Sequence, residues 1–177
     1  MECFLTMVDK PFEIDSKAKP VRFRAPPICF VSVFNYSTNI MECLKLPVTN
    51  LCAVRLVDSL GNEVTNTPLG KEYGGFPSQQ QIDSWRHHWT NRHESMFIRL
   101  TPNGLQKYSG FPTDVFSFSI LDAFEIKNPG KYELHVQVRL VKSWKYGSAT
   151  TLYPVIVLPE AISKVRITEK DLKGVAH

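Results

Sequence analysis

The sequence predicts an all-β fold, an antiparallel sandwich with a short helix in a long crossover loop. Three observations carry that expectation. Apolar residues recur at every second position in one segment after another, the period of a half-buried strand. Twelve prolines and nine glycines in 177 residues break the chain too often for a helical bundle. One stretch, Pro68 to Glu94, lacks the alternation and so stands apart as a loop and helix insertion.

The first 27 residues carry Pro11, Pro20, Pro26 and Pro27 and read as an extended N-terminal arm. Ile28 to Phe34 is a strand, and Asn35 to Asn39 turns the chain. Ile40 to Leu46 is a short strand closed by Pro47. Leu51 to Val57 follows, with Cys52, Val54 and Leu56 on one face and Arg55 on the other. Asp58-Ser59-Leu60-Gly61-Asn62 is a turn from which Glu63 to Thr67 returns as a hairpin partner. Further on, Met96, Ile98 and Leu100 alternate with Phe97 and Arg99, and Thr101-Pro102-Asn103-Gly104 turns. Phe116, Phe118 and Ile120 alternate with Ser117 and Ser119.

The most regular strand follows the turn at Asn128-Pro129-Gly130. Tyr132, Leu134, Val136, Val138 and Leu140 point one way, while Glu133, His135, Gln137 and Arg139 point to solvent. Thr151 to Leu158 is another strand, with Pro154 at an edge or bulge, and Ile162 to Thr168 is a last one. Within the insertion, Ser78 and Gln81 have the spacing of a capping box. Ile82, Trp85 and Trp89 then share one face of a helix over about 79–89. No repeat or interdomain linker divides the chain, so it reads as a single domain over 1–177.

Composition narrows the function. The net charge of +4 comes from scattered basic residues, which argues against a nucleic-acid surface. No apolar run is long enough for a signal h-region or a membrane span. The chain is therefore expected to be cytoplasmic, or a mature fragment of an extracellular or bacterial-envelope protein. Cys43 and Cys52 read as small buried thiols, with a disulfide between them as the alternative. Asn35-Tyr36-Ser37 is a formal glycosylation sequon.

No GxGxxG, GxxxxGK[ST], GxSxG or HExxH pattern occurs, so no phosphate cradle or nucleophile elbow is encoded in one stretch. No cofactor is expected. Two clusters remain as candidate binding surfaces. Trp85, His88 and Trp89 belong to a dense polar and aromatic run that continues to His93 and Glu94. His88 and His93 do not share a helical face, and Arg86 and Arg92 would repel a cation, so no metal ligands are assigned there. Trp144 and Tyr146 follow the strongest strand, at or near a hairpin tip, where flat rings can meet a sugar or a partner protein.

Three segments carry a resemblance. Phe30-Val31-Ser32-Val33-Phe34-Asn35-Tyr36-Ser37, Val54-Arg55-Leu56-Val57-Asp58-Ser59-Leu60-Gly61-Asn62, and Phe124 through Asn128-Pro129-Gly130-Lys131-Tyr132-Glu133-Leu134 follow one another in the chain. In this order they resemble bacterial immunoglobulin-like modules and are similar to the Bacillus intracellular proteinase inhibitor type of domain. The resemblance covers about half the chain, and the 68–94 segment departs from it. It implies an immunoglobulin-like sandwich and transfers no functional residue. The expected function is a non-catalytic binding module for a protein or glycan partner. The alternatives are a metal-dependent hydrolase using the 87–94 His/Glu cluster, or a proteinase inhibitor.

Overall fold

The computed structural model describes residues 2–8, 13–14, 21–22, 27–44, 46, 48–78, 80–82, 97–100, 102, 104–106, 117–142 and 155–173. It is built mostly of antiparallel sheet with short helices. The strands are β1 (Glu2–Val8), β2 (Glu13–Ile14), β3 (Val21–Arg22), β4 (Ile28–Asn35), β5 (Met41–Leu44), β6 (Cys52–Asp58), β7 (Phe97–Leu100), β8 (Gly104–Gln106), β9 (Ser117–Ser119), β10 (Gly130–Val141), β11 (Val155–Val157) and β12 (Ala161–Ile167). Helical turns α1 (Val48–Leu51), α2 (Ile120–Ala123) and α3 (Glu169–Lys173) lie between or after them.

Two sheets dominate. In the first, β4 is central, with β1 on one side and β8 and β9 end to end on the other. In the second, β10 is central, with β6 on one side and β11 and β12 on the other. The N-terminal stretch read as an extended arm thus begins with a full sheet strand, paired to β4 from Glu2 opposite Phe34 to Val8 opposite Ile28. β5 and β7 form a separate ribbon, and Cys43 also bridges Lys142 just past β10.

Alternation decides which face is buried. Cys29, Val31 and Val33 from β4 join Leu56 from β6 and Leu134, Val136, Val138 and Leu140 from β10 in one apolar cluster. The inward and outward sets on β6 and β10 are those the sequence pattern predicts. The last strands depart from constant alternation. Val157 lies opposite Arg139, yet Ala161 lies opposite Val136, so one extra residue sits on the β11–β12 side. This bulge falls at Leu158-Pro159-Glu160, where proline has no N–H to leave unpaired. It shifts the inward set from Ile156 and Leu158 to Ser163, Val165 and Ile167 and turns Ile162 outward.

Asn35 is the one fully buried polar side chain among the described residues. Its Nδ2 donates to the carbonyls of Asn39 and Leu100, both at 3.0 Å. Its Oδ1 accepts from the Ser37 amide at 3.0 Å and the Ser37 hydroxyl at 2.8 Å. Both Nδ2 hydrogens are therefore engaged inside the protein. The sequon is the knot of a turn, and its amide nitrogen is not presented to a glycosylating enzyme.

Cys43 and Cys52 lie on different sheets and have no exposed surface. Burial pushes the Cys43 thiol up to about 12, with the Lys142 charge opposing it. Because the thiolate is the reactive form, a thiol reagent at pH 8 should label Cys43 only as fast as the protein unfolds. Labelling that is equally rapid with and without denaturant would show that Cys43 is accessible.

Candidate functional site

The long crossover is pinned to the two sheets residue by residue. Thr67 N–H bonds Ala123 O at 3.1 Å, and Glu125 N–H bonds Thr65 O at 2.8 Å, so residues 65–67 run beside 123–125. Gly70 follows, packed so closely on Ala123 that a Cβ there would lie 1.8 Å from the Ala123 carbonyl oxygen. The Tyr73 ring packs on Phe118 with centroids 5.2 Å apart, which carries the crossover into the core. Gly74 N–H is shared between the carbonyls of Thr49, at 3.0 Å, and Cys52, at 2.9 Å. The Phe76 ring then receives the Arg139 guanidinium, 5.8 Å from its centroid.

The predicted capping box is present directly afterwards. Ser78 N–H donates to Gln81 Oε1 at 2.8 Å, Gln81 N–H donates to Ser78 Oγ at 3.3 Å, and 80–82 is helical. Ile82 is buried. The helix read over 79–89 is therefore observed through Ile82, and Trp85, His88 and Trp89 lie outside the described residues. Trp144 and Tyr146 lie outside them as well. The two arms that flank them do pair, with Val141 opposite Val155, so both aromatics belong to the connection of a β10–β11 hairpin.

The outer face of the second sheet holds what the sequence reading missed. His135 was read as a surface residue, but its side chain is only 11% exposed. Its neighbours across the sheet cover it. His135 Nδ1 lies 3.1 Å from Arg55 Nη2 and 3.1 Å from Glu160 Oε2. Arg55 also pairs with Glu160 at 3.6 Å and with Glu63 at 3.6 Å. One ring nitrogen cannot accept from Arg55 and donate to Glu160 at once. The proton on Nδ1 therefore decides which partner the imidazole holds. The His135 hydrogen bond, with the Arg55 charge behind it, lowers the Glu160 carboxyl below its usual range. The alternation of β10 placed His135 on the correct face. Only the register could bring Arg55 and the bulge residue Glu160 beside it.

At the hairpin end of the same face, Arg139 donates to Gln137 Oε1 at 3.5 Å, while its buried Nε has no hydrogen-bond partner among the described residues. Along β11 and the start of β12, Val155, Val157 and Ile162 are 41%, 54% and 57% exposed. Parity puts all three on the outer face, in a stripe that begins where the 143–154 connection ends.

Among the described residues, no group of three or more His, Cys, Asp or Glu side chains is placed to hold a metal ion. Among them too, no helix is long and apolar enough to cross a membrane. The 87–94 His/Glu cluster lies outside the described residues. No protein-family model, curated protein or solved structure matches the chain.

Proposed function

We propose that this protein is a non-catalytic interaction module on an immunoglobulin-like sandwich, and that it engages a protein or glycan partner through the outer face of the second sheet. The observation that carries the reading is the exposed aliphatic stripe of Val155, Val157 and Ile162 on the last strands. Aliphatic side chains left in water along one strand form a surface whose burial by a partner is favourable. The stripe adjoins the connection that carries Trp144 and Tyr146, two residues with the area and rigidity of binding anchors.

Two features support the immunoglobulin-like part. The chain crosses between its two main sheets three times, with β1, β4, β8 and β9 in one and β6, β10, β11 and β12 in the other. The Tyr132 hydroxyl donates to the Asn128 carbonyl at 2.6 Å, four residues back at the start of the central strand. A tyrosine closing on upstream backbone at that place is a hallmark of such sandwiches.

The test pairs Trp144→Ala with Val157→Asp, screened against a glycan array and against purified extracellular matrix and envelope proteins. For a ligand found with the wild type, Trp144→Ala should weaken binding by about 2 kcal/mol. Its unfolding free energy should stay within about 1 kcal/mol of wild type. Wild-type affinity in both variants would refute the reading, and so would a Trp144→Ala protein that binds normally but unfolds readily.

A further inference from the structure

We propose that the free edge of β6, at Val54, is a docking site for a short, extended, acidic peptide that adds one strand to the second sheet. This site lies on the opposite side of that sheet from the Val155–Ile162 stripe and does not depend on it.

The main chain of β6 points alternately to β10 and to the open edge. On the open side, Cys52 O accepts from Gly74 N–H at 2.9 Å and Leu56 O accepts from Val64 N–H at 2.8 Å. Asp58 N–H bonds Asn62 O at 2.9 Å on that side too. By the two-residue period, the N–H and C=O of Val54 face the same edge, as does the Leu56 N–H. Among the described residues no hydrogen bond takes any of these three groups. The return strand makes one bond to Leu56 and then leaves for Phe124, which it meets at Asn66. Its departure opens a concavity of about 400 Å³, lined by Val54, Arg55, Glu63, Thr65, Asn66 and Lys71.

The shape of the gap selects the occupant. The protein's own chain closes it at both ends, at Gly74 and at Val64. Four residue steps separate Cys52 from Leu56, roughly 13 Å of strand. A long edge strand from a second copy would collide with those two closures, whereas an extended segment of about three residues fits between them. Leu56 has no exposed surface, whereas Val54 is half-buried, so the Val54 N–H and C=O are the pair that an incoming strand engages. Charge selects the side chains. Arg55 is already shared between Glu63 and Glu160. Lys71 has no ion pair among the described residues and is the cation available to a carboxylate.

The test titrates nitrogen-15-labelled protein with two blocked tripeptides, Glu-Val-Glu and Lys-Val-Lys. The acidic peptide should shift the Val54 amide signal and slow its hydrogen exchange, which is expected to be fast in the free protein. The basic peptide should bind more weakly. Lys71→Glu should cost the acidic peptide about fivefold in affinity, the size of one exposed charge pair. N-methylating the central valine of the peptide removes a strand donor without touching the protein, and should abolish binding. Trp144→Ala should leave the titration unchanged. A Val54 amide already protected in the free protein would overturn the proposal. So would shifts confined to charged side chains, an N-methylated peptide that binds equally well, or dimerisation of the protein as the source of the shifts.

Discussion

Replacing Asn35 by aspartate is expected to destabilise the protein by about 3–5 kcal/mol at pH 7. The substitution keeps the shape and changes only the donor. Nδ2 now serves the carbonyls of Asn39 and Leu100, both at 3.0 Å. A carboxylate oxygen in its place would face two carbonyl oxygens without a hydrogen between them, in a site with no exposed surface. Burial favours the neutral acid, so the introduced carboxyl is raised in the folded state above its unfolded value. The folded variant then holds its proton more tightly than the unfolded chain. Its stability relative to wild type is best retained below the unfolded value and is lost as pH rises toward the folded one. Urea unfolding of both proteins at pH 4 and pH 7 should show a smaller difference at pH 4. An equal difference at both values would mean that the side chain reaches solvent.

Gly70→Ala should cost about 3 kcal/mol or more, at the upper end of overpacking. The added Cβ would sit 1.8 Å from the Ala123 oxygen and 2.8 Å from its carbonyl carbon. Both are backbone atoms, so no side chain can rotate away. That carbonyl also accepts the Thr67 N–H, and the Thr67 hydroxyl donates to the neighbouring Asp122 carbonyl. Movement at Ala123 would therefore loosen the tie between the crossover and the first sheet. Gly130→Ala is the matched comparison, because its Cβ would meet only the Tyr132 ring, at 3.6 Å. That variant should stay within about 1 kcal/mol of wild type. Similar unfolding midpoints for the two would show that the Ala123 contact yields.

The sequence pattern specified the strands that have one wet face. β6 and β10 were legible because burial on one side imposes period two, and the Ser78–Gln81 box because capping is local chemistry. β1 was not legible, since four prolines in its neighbourhood outweigh a seven-residue run whose value comes only from pairing with β4. Ile162 shows a different limit. Read with constant alternation from Ile156, it belongs to the core, yet it is 57% exposed because the bulge before it adds one residue. The mid-sheet cluster was hidden for a related reason. Arg55, His135 and Glu160 lie 80 and 25 positions apart in the chain, and only strand register makes them neighbours. The candidates Trp85, His88 and Trp89 rest on a dense run at a helix end, and Trp144 and Tyr146 on their place after the most regular strand. The structure fixes what flanks them, namely the helix start at 80–82 and the paired arms of β10 and β11.

The strand beside β4 is made in two pieces. Ser117 pairs with Phe30 and Gln106 with Val33, so positions that are near neighbours along β4 are met by residues far apart in the chain. Each piece takes its register from its own contacts with β4. The length of chain between the pieces is thus free of the arithmetic that governs the rest of the sheet. A one-residue indel inside β1 or β4 would turn side chains inside out, whereas β8 and β9 each hold a register of their own.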